Sequence, residues 1–322
     1  MLPSSLSSSQ RRKLHALGIS TSEEILGLFN AVPELATDYL GDALPADPFA
    51  QVGWAPLDFL NWFDEIAKHF NARLDAPSWL RMPYAAYDTK SLPAEVNLQK
   101  ICGPIQNQAK RGTCVAFATV SALEAAHNKG KTNLSEQMQY WICKQVDGMP
   151  SQEGSWVSTA FEKGIPQYGF CEETLWPYNP EFTGDPGQGP APKEAVKAAR
   201  KNKAKRINRI EANSVDALKA ALNAGDVIAM SVPVFASWAR NPETARTGKI
   251  GMPIPGEDVI GGHAMAFVGY KNDANAPGGG YFIVRNSWGT AWANESPVGA
   301  GYALMPYAYM TQFGKEAYTV KL

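Results

Sequence analysis

A cysteine, a histidine and two carboxamides are the side chains of this sequence whose surroundings suit them to chemistry. Cys114 follows the polar, glycine-containing loop Gln108-Ala109-Lys110-Arg111-Gly112-Thr113. It opens a run, Val115 to Ala126, that is rich in alanine and free of glycine and proline. Such a run reads as a helix buried on every side. Cys114 then stands in the first turn, where unpaired N–H groups and the positive end of the helix dipole favour a thiolate over a thiol. A free cysteine is as often just a small buried hydrophobe. Partners elsewhere in the chain decide between the two.

A thiolate nucleophile needs a base that exchanges a proton near neutral pH, and histidine suits that role. The sequence holds four histidines. His15 and His69 lie in N-terminal stretches without matching chemistry. His127 is on the Cys114 helix, about 20 Å away at ~1.5 Å per residue. His263 remains, within Gly261–Tyr270, an apolar run bounded by glycines that reads as a buried strand. A second strand, Tyr281–Arg285, ends at Asn286-Ser287-Trp288-Gly289. The Asn286 amide can hold one imidazole nitrogen without adding charge, and Trp288 can shield that bond from water. The plain alternative for these four residues is a strand-ending turn. The Gln108 amide can join the Cys114 backbone N–H in an oxyanion hole.

In this order the pieces resemble the papain-like (C1) cysteine peptidases. Gln108 stands six residues before Cys114; Leu134-Ser135-Glu136-Gln137 follows; then come Gly262-His263-Ala264, running into Val268-Gly269-Tyr270, and Asn286-Ser287-Trp288-Gly289-Thr290. The Cys114–His263 separation is close to the roughly 130–150 residues of that family. The resemblance covers about residues 92–310 and implies an α+β, papain-like two-domain fold. A helical left domain (about 100–180) and a β-barrel-like right domain (about 206–310) would flank an active-site cleft. It implies peptide-bond hydrolysis by Cys114, His263 and Asn286, with Gln108 and the Cys114 N–H holding the oxyanion. It further implies that Gly154 pairs with the backbone of a protein or peptide substrate in extended conformation. Met230, Gly262 and Trp288 would line the cleft, the first two at the pocket for the side chain two before the cut. An acyltransferase or amidase would use the same acyl-thioester chemistry, as would an effector peptidase regulated by its N-terminal region. The papain signature has a second cysteine three residues before the nucleophile and an aromatic just after it. Those positions hold Arg111 and Val115, and Met149–Gly154, where the partner cysteine would lie, has none. Losing both halves together resembles a bacterial-type variant of the family.

The rest of the chain must position these groups. Its 322 residues, 45% of them hydrophobic, supply one large or two medium cores. A net charge of −1 gives no electrostatic case for nucleic acid. No apolar run approaches the ~18 residues of a membrane span. Met1–Ser20 lacks the ~7–15-residue apolar core of a signal peptide, so the expectation is a cytoplasmic protein or one exported by another route. Residues 1–90 lie outside the resemblance. They read as two short helices around Gly18–Glu24, the second capped by Ser20 or Thr21, then an amphipathic helix with a stripe from Leu60 through Phe70 to Leu74. This region would dock on the cleft as an inhibitory prodomain, or on a partner protein. Pro177–Pro192 reads as a crossover, and Asp216–Asn223 as a helix before the strand Val227–Val232. Basic Lys193–Arg209 reads as a solvated helix face, and the loop Asn241–Val259 as cleft rim. The four cysteines are expected to stay reduced, although a Cys143–Cys171 bridge is open. No metal-ligand spacing and no phosphate loop appears, so neither a metal nor a cofactor is expected.

Overall fold

The computed structural model describes residues 2, 6–41, 70–75, 77 and 82–322. The alanine-rich run forms helix α4 (Cys114–Ala126), with every residue from Cys114 to Ala125 buried. Ser135 caps helix α5 (Glu136–Val146), its hydroxyl accepting from the Met138 N–H at 3.0 Å. A π-helical turn, Thr159–Gly164, then leads into the short helix Ile165–Tyr168. These make the helical half.

The other half is an antiparallel sheet. Its strands are β1 (Glu95–Asn97), β2 (Arg206–Arg209), β3 (Ile228–Phe235), β4 (Val259–Asn272), β5 (Gly280–Arg285), β6 (Tyr302–Pro306) and β7 (Glu316–Lys321). The order is β2-β7-β3-β4-β5-β6, with β1 added on β4. The sheet therefore takes in the C-terminal strand β7, beyond the expected limit near residue 310. Strand β4 is central, and β3 pairs with it so that Val232 faces His263 and Ser231 faces Ala264. Strand β5 pairs Arg285 with Ala266, which sets Asn286 at the strand end beside His263. One face of β3 and β4, carrying Ala229, Ala264 and Ala266, shares a core with Cys114, Val115 and Ala118 of α4.

The expected pair of N-terminal helices is three among the described residues: α1 (Ser8–Ala16), α2 (Ser22–Ala31) and α3 (Pro33–Leu40). Thr21 caps α2 in a reciprocal arrangement with Glu24, a local signal strong enough to read in sequence. Leu14, Leu17, Ile25 and Leu28 enter the same core as Trp238, Ile250, Met252 and Ile254. The Met252 N–H donates to the Leu17 carbonyl at 3.0 Å, and Lys249 Nζ lies 2.6 Å from Glu24. Asn241–Val259 is thus not cleft rim: it includes a helix, Pro242–Thr247, and seats the N-terminal helices. The amphipathic stripe from Leu60 lies outside the described residues as far as His69. Phe70 and Leu74 are described and are not helical. Of the basic run, Lys193–Ala199 is helical and Arg206–Arg209 is strand β2.

Gly27 tests how tightly α2 is seated. A Cβ there would lie 2.1 Å from Asn241 Oδ1, and that oxygen caps the Pro242–Thr247 helix. Alanine should gain up to ~1 kcal/mol of helix propensity. Overpacking costs about 1–3 kcal/mol and the displaced cap a further ~1 kcal/mol, so the clash wins. Gly27→Ala is expected to lower stability by about 1–3 kcal/mol in urea denaturation, in one transition.

Candidate active site

Cys114 begins α4, and its sulfur is fully buried. The backbone N–H groups of Ala264, Asn71, Val115 and Ala72 reach toward it. Ala264 follows His263, so strand β4 delivers the histidine beside the nucleophile. Burial pushes the Cys114 thiol up to about 11, against the smaller opposing pull of those N–H groups. The helix terminus alone favours a thiolate; in this closed arrangement desolvation outweighs it.

His263 is fully buried, and its Nε2 is 2.9 Å from Asn286 Oδ1. The same oxygen accepts the Ser287 N–H at 2.8 Å, which fixes the amide. The Trp288 ring stacks on the imidazole with centroids 4.8 Å apart and planes 25° apart. Trp238 stacks on Trp288, and Trp292 meets Trp288 edge-on. The histidine–asparagine bond therefore sits in a dry aromatic pocket, where a hydrogen bond is stronger than in water.

Gln108 is held at both ends. Its Oε1 accepts from Ser287 Oγ at 2.6 Å, and its Nε2 donates one proton to the Arg111 carbonyl at 2.8 Å. The primary amide has a second proton on Nε2. Ser287 thus serves both amides of the site, Asn286 through its N–H and Gln108 through its hydroxyl.

The cleft is occupied by the chain's own segment Phe70–Asp75. Phe70 meets Trp238, His263 and Trp288 edge-on, with centroids 6.2, 5.9 and 5.7 Å away. The Ala72 N–H donates to the Gly262 carbonyl at 2.8 Å, and the Arg73 N–H to the Ser155 carbonyl at 2.9 Å. Arg73 then lies over Trp156 and donates to Gln152 Oε1 at 2.8 Å. The segment crosses from the aromatic wall to the opposite rim, over the sulfur.

The model of the papain family cysteine protease matches residues 92–316. The chain belongs to this family. An uncharacterized peptidase C1-like protein of Acanthamoeba polyphaga mimivirus is 30% identical over 63% of this chain and 64% of its own length. A KDEL-tailed cysteine endopeptidase of Arabidopsis thaliana is 31% identical over 65% of this chain and 54% of its own. The chain thus spans between half and two thirds of these relatives. In fold it is similar to xylellain, a cysteine protease from Xylella fastidiosa, with a TM-score of 0.68 at 23% identity over 79% of this chain and 96% of that one. Digestive procathepsin L 3 of Tenebrio molitor matches with a TM-score of 0.59 at 20% identity, over 98% and 100% of the two chains.

Within this papain-family fold, Cys114 lies beside the Ala264 N–H, His263 is bonded to Asn286, and Gln108 is bonded to Ser287. Gly262 and Trp288 contact the Phe70–Asp75 segment, one through its carbonyl and the other through its ring. Gly154 does so differently. A Cβ on it would lie 2.2 Å from the Asn71 carbonyl oxygen, so the glycine does admit a close backbone. Its own N–H, however, donates to Tyr140 Oη at 2.9 Å and its carbonyl accepts from Lys144 Nζ at 2.6 Å. Pairing passes to Ser155. Met230 lies in the core that also holds Phe70 and Trp238. It is fully buried opposite Met265, whereas its neighbours Ala229 and Ser231 pair with Ala266 and Ala264 on the face toward α4.

Sequence reasoning missed Ser287 as the shared orienter, although it stands inside a motif already singled out. It also missed Asn71–Arg73, for which no pattern speaks. All four cysteines are free. Among the described residues no group of three or more His, Cys, Asp or Glu could hold a metal, and no helix is long and apolar enough to cross a membrane.

The raised thiol has a pH consequence. A group held above its unfolded value stabilises the closed form below the ordinary thiol range, and that contribution is lost as pH rises through about 11. Iodoacetamide labelling of Cys114 in the full chain is therefore expected to rise only toward about pH 11. A half-point near neutrality would contradict the closed arrangement.

Proposed function

We propose that the protein is a cysteine endopeptidase made in a latent form, with Phe70–Asp75 as its internal inhibitor. The observation that carries this reading is the backbone pairing of that segment to both rims, Gly262 on one side and Ser155 on the other, across the Cys114 sulfur. A cleft that holds one extended peptide by its main chain has the shape and donors for another.

With the segment displaced, the desolvation that raises the thiol is relieved, and Cys114 and His263 form a thiolate–imidazolium pair. Asn286 Oδ1 holds Nε2, so Nδ1 is the nitrogen that exchanges a proton with the sulfur. The thiolate attacks the substrate carbonyl carbon. Negative charge moves onto the carbonyl oxygen, where the Cys114 N–H and the second Nε2 proton of Gln108 receive it. His263 gives its proton to the leaving amine, and water then hydrolyses the thioester with His263 as base. We read the chain as a bacterial-type variant, on the paired absence of the two cysteines.

Proline at position 72 removes the N–H donated to Gly262. A lost hydrogen bond of about 1–2 kcal/mol, with the steric misfit of the ring, converts to roughly tenfold or more in occupancy of the cleft. Full-length Ala72→Pro is expected to cleave internal bonds of a peptide library at least about tenfold faster than the unsubstituted chain. Cys114→Ala in the same background should abolish cleavage. Equal rates with and without the proline would remove the inhibitor from the reading. Acyl transfer to an added amine with no hydrolysis would replace the endopeptidase by a transferase.

A further inference from the structure

We propose that Arg111 is the positioning residue of the oxyanion hole, its buried guanidinium fixing the carbonyl to which Gln108 is tied. This rests on the catalytic reading above. The side chain is fully buried. Nη1 donates to Gln137 Oε1 at 3.1 Å and to the Asn179 carbonyl at 2.9 Å, and Nη2 donates to the Pro186 carbonyl at 2.7 Å. The guanidinium carbon lies 5.4 Å from the ring centroids of both Tyr140 and Tyr178. Nε is 3.9 Å from Glu153 Oε1, and the other oxygen of Glu153 accepts the Gly112 N–H. One head group thus bonds α5 and the crossover and is ion-paired with the rim beside Gly154.

The same residue's carbonyl accepts Gln108 Nε2 at 2.8 Å and the Thr113 N–H at 2.9 Å. Tyr178, whose ring lies against the guanidinium, donates its hydroxyl to the Gln108 carbonyl at 2.9 Å and is hydrogen-bonded to Thr113 Oγ1 at 2.8 Å. Anchors on three distant stretches therefore converge, through Arg111, on the amide that points at the developing oxyanion and on the residue before the nucleophile. A core filler has no need of this. Taking a cation out of water costs several kcal/mol, and an apolar side chain of like volume fills space without that cost. What a guanidinium adds is a rigid fork that reaches several acceptors at once, which neither lysine nor methionine reproduces.

Two rates measured on the full chain, with and without Ala72→Pro, separate positioning from mere support. Peptide hydrolysis passes through an oxyanion; alkylation of Cys114 by iodoacetamide is displacement at a saturated carbon and develops none. Arg111→Met is expected to lower kcat about 30- to 300-fold, near the effect of losing one oxyanion donor, with KM within about threefold. Its alkylation rate should stay within about threefold of the unsubstituted chain. Arg111→Lys, which keeps the charge but reaches fewer acceptors, should lose about tenfold in kcat with the same split. It carries the test if Arg111→Met does not fold. Hydrolysis and alkylation falling by one common factor, or hydrolysis within about threefold of the unsubstituted chain, overturns the proposal. Unselective labelling of the Ala72→Pro chain with Arg111 in place overturns the catalytic reading, and this proposal with it.

Discussion

Small side chains on both sides of one contact set the distance between Cys114 and the strand that carries His263. Val115 and Ala118 of α4 share a core with Ala229, Ala264 and Ala266 of the sheet, all buried with little or no exposure. Alanine against alanine lets a helix and a strand approach closely, and a close approach is what brings the start of α4 to the head of β4. A larger residue at Ala264 or Ala118 would separate the layers by roughly a methylene or more, and tightly packed interiors transmit such a shift. The remainder of the site is register. Once β5 pairs Arg285 with Ala266, Asn286 emerges next to His263, and Ser287 and Trp288 follow within reach of Gln108 and the imidazole.

The closed cleft uses the same groups that a substrate would meet. Gly112, Gly154 and Gly262 line it, and a Cβ on any of them would come within 2.4 Å of Asn71 or Ala72. A slot walled by glycines selects for an extended main chain and says little about side chains. Side chains of the segment are met at the rims, Phe70 by tryptophans and Arg73 by Trp156 and Gln152. Covering the sulfur also changes its chemistry. The thiolate is the species that attacks carbonyls and also the species that oxidises. Raising the thiol by burial keeps it inert to both while the segment covers it.

What could be read in advance follows from which physics leaves a mark on residue types. The α4 run and the strand holding His263 bury side chains on every face, so composition alone shows them. Thr21 and Glu24 cap α2 through their own side chains, which is equally legible. Phe70–Asp75 is held largely by backbone bonds to Gly262 and Ser155, and a main-chain bond is indifferent to the residue that makes it. Met230 pairs with Met265, two residues along from the Val232–His263 pair, and only register against β4 reveals that depth. Asn241–Val259 has loop composition, and only the core it shares with α2 reveals what it carries.

The rim and the oxyanion loop are held by buried cations where the family resemblance implies a disulfide. Lys144 pairs with Asp147 at 2.6 Å and donates to the carbonyls of Met149, Gln152 and Gly154, pinning a stretch with little regular structure. Arg111 does the same for the stretch before Cys114, and its carboxylate partner Glu153 sits on that very rim. A disulfide in this place sets two demands against each other, since the nucleophile must stay reduced while its support must stay oxidised. Charge-assisted hydrogen bonds carry no such dependence. With all four sulfurs free, the conditions that keep Cys114 a thiol leave the frame around it unaltered.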